Sequence, residues 1–487
     1  MSADTAPRLL LDALVESLVA GPGRRVVVRD RRTCLTSDAL LAGARTVADA
    51  LPAACPGLPA RPRVAVVAPN SAHYVSVLLG LLSAGALPVL VDPTVTEHQL
   101  RALVEQTGLD AVVRAAAASP TASPLAHGFD VEPFGRTSRA RPPVHGTTEL
   151  CRLTSGTTRT PGCLEFSGAA VLAAAGGWLR AGGLDHEDRV LCLAGAYNGL
   201  AFNTSIVPGL LAGCTLVLPS GPPTTSSVRR LLAEHDPTVL VAFPAVYDGI
   251  ARAGAGHELA RVRSCLSSAA PLSAATRDAL RTAGAVVADY YGLAETGPLT
   301  AGSDGAPGQG PLLDHVDARV VDGELSVRSA SMATRYLNYP GELESRLDDD
   351  GYYRTGDEGT VAQGRLVLGE RLGKGLNVAG RKVGPGQVRD ALLGSQALRD
   401  AHVLLHPAAP GSDVVLLTAL VVPADADDAA ELPARLQSHV RGVLAPHERP
   451  QHYVVVDAIP RSGSGKPRTH EITALLPDTA AEREERL

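Results

Sequence analysis

Lysine is nearly missing from this chain. Of 45 basic residues among 487, all but Lys374, Lys382 and Lys466 are arginine. Arginine carries a wide planar fork and lysine a compact charge on a slim stem, so the two are not interchangeable. Lysines kept against such a background mark positions where a guanidinium would not serve, Lys466 above all. Aromatic residues are scarce as well, at 3%, which argues against base-stacking platforms for nucleic acid. The net charge of −6 gives no reason to expect nucleic acid or an anionic membrane as a partner. The seven cysteines (34, 55, 151, 163, 192, 214 and 265) show neither a CxxC nor a Cys/His ligand spacing. That pattern predicts free thiols in a reducing compartment. The first residues hold Asp4, Asp12 and Glu16 and lack the basic, apolar, small-residue order of a secretory signal. The longest apolar stretch, Tyr74 to Val91, is broken by Ser83, Gly85 and Pro88, so it reads as helix then strand rather than a membrane span. Together these absences predict a soluble cytoplasmic protein.

What is present has the rhythm of an α/β protein. At this length one compact core is not enough, and about three domain-sized units are expected. From Arg63 the chain alternates: a β-branched run to Ala68, a helical spacing over Tyr74–Ala86 with Asn70 and Ser71 as cap candidates, a strand at Leu87–Asp92, a helix at Glu97–Gln106 and an extended piece at Ala111–Val113. Strand-helix-strand alternation implies right-handed crossovers and a parallel sheet. After an Arg/Pro/Ser-rich linker, Arg136–Pro143, the theme repeats. Strands are expected at Val190–Leu193, Thr215–Leu218, Val239–Ala242, Arg263–Leu266 and Val286–Tyr290, with helices at Val228–Glu234 and Ala274–Thr282.

Beyond Gly310 the pattern turns antiparallel. Asp322-Gly323 and Gln363-Gly364 each separate two strand-like runs, a hairpin signal. The glycine-rich Gly369–Gly375 reads as a hinge. Strands at Val403–Leu405, Val414–Val422 and Tyr453–Val456 and a helix at Leu432–Val443 follow. The expected architecture is a large N-terminal domain, residues 1–370, of sheet-and-helix subdomains with a small antiparallel β piece. A small mobile α+β lid, residues 371–487, completes it.

Four segments carry chemistry. Thr154-Ser155-Gly156-Thr157-Thr158 crowds hydroxyls around a glycine. Backbone N–H groups and hydroxyls so arranged can cradle a phosphate, although the GxxxxGK[ST] loop is missing and a solvated turn has the same composition. Tyr291-Gly292-Leu293-Ala294-Glu295-Thr296 follows a buried strand, where a carboxylate beside a hydroxyl can hold Mg²⁺ together with phosphate oxygens. Asp357, after Gly356, could accept two hydroxyls or serve a turn. Pro460–Lys466 is a glycine-flexed loop that ends in a lysine suited to charge developing between two oxyanions.

In this order the segments resemble the acyl-adenylate-forming superfamily: acyl-CoA synthetases, aryl-acid ligases, peptide-synthetase adenylation domains and luciferases. The resemblance spans nearly the whole chain, and YYRTGDEG is its most specific part. It implies ATP, Mg²⁺ and a carboxylic acid as reactants, with CoA or a carrier-protein thiol as acceptor. It also implies roles. Thr154, Ser155, Gly156, Thr157 and Thr158 would cradle phosphates, and Glu295 would hold Mg²⁺. Tyr291 would lie against adenine near Ala269 and Ala270, while Asp357 and Arg371 would bind the ribose. Lys466 would bridge the attacking oxyanion and the α-phosphate. Tyr197 and Asn198 match the place where aryl-acid ligases set an Asn against a ring substituent, which points to an aryl acid.

The chain also departs from the family pattern. Where the loop usually runs TTGxPKG, this chain has Arg159 for a glycine and Gly162 for the lysine. Arg159 is a candidate replacement for the lost charge. The usual acidic or lysine hinge position is Gly373, followed by Lys374, and Gly386-Gln387 replaces a usual acidic position. These changes open two alternatives: a diazotase-like enzyme that activates nitrite for an aryl amine, or a catalytically silent nucleotide-binding homologue.

Overall fold

The structure is a computed structural model. It describes residues 7–21, 23–115, 121–135, 140–154, 160–268, 272, 274–302, 308–371, 376–378, 381–408, 412, 414–424, 431–460 and 469–476. Contacts divide the chain into two units, one drawn chiefly from the first 373 residues and one chiefly from the remainder.

Two sheets dominate the first unit. In the eight-stranded sheet the order is 335–336, 163–167, 148–153, 87–91, 63–67, 111–115, 129–133, 123–126. Its middle four strands are parallel; 64–67, 87–91 and 111–113 are apolar runs, as the alternation predicts and as strands covered on both faces require, whereas Thr148–Leu153 buries Glu149 and Arg152. The flanking strands are antiparallel. The helix Ala72–Ser83 is capped by Ser71, whose side chain accepts from Tyr74 N. It is buried nearly all round, and helix Ser37–Ala54 lies on it so closely that a Cβ at Gly80 would stand 2.7 Å from the Ala44 carbonyl. Asn70 is not a cap, contrary to expectation; its amide is committed elsewhere, as described below.

The seven-stranded sheet has the order 287–289, 264–267, 239–242, 189–192, 215–217, 26–29, 34–36. Its first six strands are parallel. The strand Val26–Arg29 arrives from the far N-terminus to pair with Thr215–Val217, a partnership that no local pattern announces. A five-stranded antiparallel sheet follows. Both predicted hairpins form there: Val321 pairs Glu324 and Ala362 pairs Arg365. Asp322, Gly323, Gln363 and Gly364 all have positive φ, the geometry of two-residue turns that match strand twist. Of the predicted linker, residues 140–143 carry no helix or strand and 136–139 lie outside the described residues.

The second unit has its own apolar core. Strand Leu398–Pro407 pairs antiparallel with Val415–Pro423, which pairs parallel with His452–Val455. Helices Pro385–Leu393 and Leu432–Arg441 bury Val388, Leu392, Leu432, Leu436 and Val440. The α+β character expected of this part is present. All seven cysteines are free thiols, only Cys34 being exposed. Among the described residues no helix is long and apolar enough to cross a membrane.

Candidate active site

Strand Thr148–Leu153 delivers the chain to Thr154 at the carboxyl end of the parallel sheet, where open α/β sheets place ligands. Thr154 closes the loop that follows it. Its N–H donates to the Gly162 carbonyl at 2.8 Å, and its Oγ1 accepts from Gly162 N at 3.0 Å. Ser155, Gly156, Thr157, Thr158 and Arg159 lie outside the described residues, as do Ala269, Ala270, Lys374 and Lys466.

Gly162 stands where the family has lysine, and the geometry gives the reason that no side chain is there. The ring of Tyr336 lies over it, and a Cβ would come within 2.5 Å of Cε1. Tyr336 then reaches the metal candidate: its hydroxyl donates to Glu295 Oε1 at 2.6 Å. Burial first, and then the charge of Glu295, push this phenol far above its ordinary range, so it remains a donor. The Tyr353 hydroxyl also meets Glu295 and is raised chiefly by burial. The backbone of the Glu295 turn is fixed by Ala333 N, which donates to the Glu295 carbonyl at 2.7 Å.

Tyr291 and Asp357 are brought together from sequence positions 66 apart: the tyrosine hydroxyl donates to Asp357 Oδ2 at 2.6 Å, and both residues are buried. Asp357 faces Arg371 across the ladder, and a one-residue bulge produces that register. Unbroken pairing from Ala362 opposite Arg365 would set Glu370 there; the shift between Asp357 and Gly359 brings in Arg371 instead. The side chain of Arg371 lies outside the described atoms.

Tyr197 and Asn198 sit on a half-exposed turn at the start of a helix. Asn198 Oδ1 caps it, accepting from Leu200 N at 2.8 Å, so the Nδ2 group is what Asn198 retains for a ligand. The turn is held by Asn70, whose Nδ2 donates to the Ala194 carbonyl at 2.9 Å and whose Oδ1 accepts from Ala196 N at 2.7 Å. The helix continues through a π turn, Phe202–Ile206, a distortion common at functional sites. Asn203 on that turn faces Arg152, at 3.4 Å. Arg152 and Tyr336 were not singled out from sequence, and Asn70 was expected only as a helix cap. Only Arg152 left a signal there, as a charge inside the buried strand run ELCRL.

No cluster of three or more His, Cys, Asp or Glu side chains suited to a metal occurs among the described residues. Magnesium does not need one: it is commonly held by one or two carboxylates plus substrate phosphates. A single half-buried Glu295, anchored by a phenol, fits that pattern.

Comparison with known proteins agrees with this geometry. A family model described as AMP-binding enzyme matches residues 15–337, and its C-terminal domain counterpart matches 388–466. The chain is 25% identical over 321 residues to 4-coumarate–CoA ligase 5 of Oryza sativa subsp. japonica, covering 60% of this chain and 58% of the relative. It is 26% identical over 346 residues to 3-hydroxybenzoate–CoA ligase of Aromatoleum sp. (strain CIB), covering 66% of this chain and 65% of the relative. The chain thus spans under two thirds of the length of these curated relatives. A solved malonyl-CoA ligase, bound to methylmalonyl-CoA and AMP, superposes with a TM-score of 0.78 at 25% identity, covering 93% of this chain and all of that one. Nothing in these likenesses supports the nitrite-activating alternative.

Proposed function

This chain belongs to the AMP-binding enzyme family, and on that premise we propose that it is an ATP-dependent ligase that adenylates a carboxylic acid, releases pyrophosphate and passes the acyl group to the thiol of CoA. The observation that carries the reading is the continuous run of contacts from Thr154 through Gly162 and Tyr336 to Glu295, beside the Tyr291–Asp357 pair. These contacts bring the Thr154 hydroxyl and the Glu295 and Asp357 carboxylates near one another, which supports reading them as the phosphate, metal and ribose groups of one site.

In this scheme Asp357 accepts from the ribose hydroxyls, and the Tyr291 phenol holds the carboxylate in place. Thr154 marks the entry of the loop that receives the phosphates. Glu295 would hold Mg²⁺, which supplies charge neutralisation at the phosphates when bound. Lys466 would stabilise the oxyanions as the acid attacks the α-phosphate. The acid's own oxygen forms the new bond to phosphorus and pyrophosphate leaves. An aryl acid is favoured, because Asn198 and Tyr197 flank the acid-binding turn and relatives act on hydroxybenzoate and coumarate. A carrier-protein thiol is a second possible acceptor. The domain boundary near residue 370 and the lid role of residues 371–487 belong to the same proposal.

The test is pyrophosphate release across a panel of aryl acids, fatty acids, amino acids and nitrite, in wild type and Lys466→Ala. Acid-dependent release that falls by roughly two to three orders of magnitude in the variant, with ATP binding kept, is expected. Undiminished release in Lys466→Ala, or release that no carboxylate stimulates, would refute the scheme.

A further inference from the structure

Arg152 is 6% exposed, and no carboxylate among the described residues pairs with it. Its guanidinium lies over the Phe166 ring at 4.2 Å and the Phe202 ring at 5.6 Å. Among the described residues its guanidinium makes one hydrogen bond, the long one to Asn203 Oδ1, and its Nε has no partner. Burial lowers its pKa to about 10, which still leaves it charged at neutral pH. A buried charge without a counter-ion is costly, and aromatic faces return only part of that cost. Half-buried Arg335 and Arg277 pair with Glu165 and Asp289, and Arg63, 4% exposed, donates through both terminal nitrogens to the Thr107 and Pro142 carbonyls. Arg152 has neither a carboxylate nor a backbone carbonyl among the described residues, and its location is informative. It lies two residues before Thr154. Its Nη1 also reaches the turn that follows Tyr197-Asn198, since a Cβ on Gly199 would stand 2.9 Å from it. Tyr290, hydrogen-bonded to Asn203, completes the polar group.

We propose that Arg152 binds a second anionic group of the acid substrate: the acid carries, besides the carboxylate that attacks ATP, another carboxylate that pairs with this guanidinium. The inference rests on the ligase reading above and narrows its substrate class to dibasic acids. A fork with an unused Nε edge suits a carboxylate, which it can meet with two parallel bonds. Asn203 and Tyr290 then add neutral polar contacts without competing charge.

Pyrophosphate release is to be measured with matched pairs, benzoate against isophthalate and butyrate against glutarate, in wild type, Arg152→Met and Arg152→Lys. Melting is followed in parallel with isophthalate and glutarate and no ATP. The expected result is a wild-type kcat/KM at least about 30-fold higher for the dibasic member of the preferred pair, the scale of a buried charge pair. Arg152→Met abolishes that preference and the protection against melting, while Arg152→Lys keeps a weaker form of both. Equal use of monobasic and dibasic acids, with a ratio unmoved by Arg152→Met, overturns the inference and leaves the ligase reading standing. Should no acid stimulate release, the ligase reading fails, and the melting arm decides the anion site by itself: protection in wild type that Arg152→Met loses supports it, and protection absent or unchanged overturns it.

Discussion

Strand Thr148–Leu153 buries two charged side chains three residues apart, and the protein treats them in opposite ways. Glu149 is 3% exposed and Arg152 6%. Glu149 stands where the ladder to Cys163–Ser167 slips register, and it caps a helix that has no side-chain cap of its own. The Leu9 and Leu10 amides, at the start of helix Leu9–Ala20, donate to its two oxygens at 3.0 and 2.9 Å. A carboxylate at a helix N-terminus meets both the unpaired N–H groups and the dipole. Arg152 has no such reciprocal arrangement. The first charge is complete within the fold and so is structural. The second is incomplete within the fold, which is the condition of a group that a ligand completes.

That contrast can be broken most directly at Glu149. Glu149→Ala leaves two helix-terminal donors unmet in a dry site and is expected to cost about 2–3 kcal/mol, read from urea unfolding. Arg152→Met without ligand is expected to leave stability unchanged or raise it, because a packed apolar side chain is no worse there than an unpaired charge. A loss in Arg152→Met as large as that in Glu149→Ala would make the two charges alike and erase the distinction.

A smaller effect is expected where a charge is completed but also serves a ligand. Tyr291→Phe removes the hydroxyl that holds Asp357. One hydrogen bond of about 1 kcal/mol predicts a rise of about fivefold in KM for ATP, with kcat little changed. An unchanged KM would detach Asp357 from the nucleotide.

The smallest effect is one of pH. Burial raises the Glu149 carboxyl above its ordinary 4.5, despite its two amide donors. A raised value means that the folded state holds the proton more tightly than the unfolded state. The group's contribution is therefore complete below 4.5 and is lost as pH rises through the folded value. Glu149→Gln removes that decline. Stability curves of the two proteins should diverge across the mildly acidic range and run parallel above it; curves parallel throughout would mean that the carboxyl is not shifted.

Much of this was legible in the residue order. Short apolar runs separated by helical spacing gave most of the parallel strands, because strands covered on both faces are largely apolar; Thr148–Leu153, which buries Glu149 and Arg152, was not among them. Asp322-Gly323 and Gln363-Gly364 gave both hairpins, because a two-residue turn demands positive φ. Tyr291, Glu295 and Asp357 stood out as polar groups at strand ends and turns. Asn70 misled: next to Ser71 it looks like a cap, but its amide spans to Ala194 and Ala196, over a hundred residues away. The partner of Val26–Arg29 was equally hidden, since a four-residue strand does not state its neighbour.

By itself, then, the sequence determined the local periods, the turns, the family and the residue types available to the site, all of which depend on near neighbours or on motif order. Tertiary structure alone decided which groups meet. A one-residue bulge set Arg371 rather than Glu370 opposite Asp357, the Tyr336 ring left room only for glycine at 162, and burial between two aromatic rings left Arg152 without a carboxylate among the described residues. Register, close packing and desolvation are properties of segments brought together from far apart, and no single stretch of chain contains them.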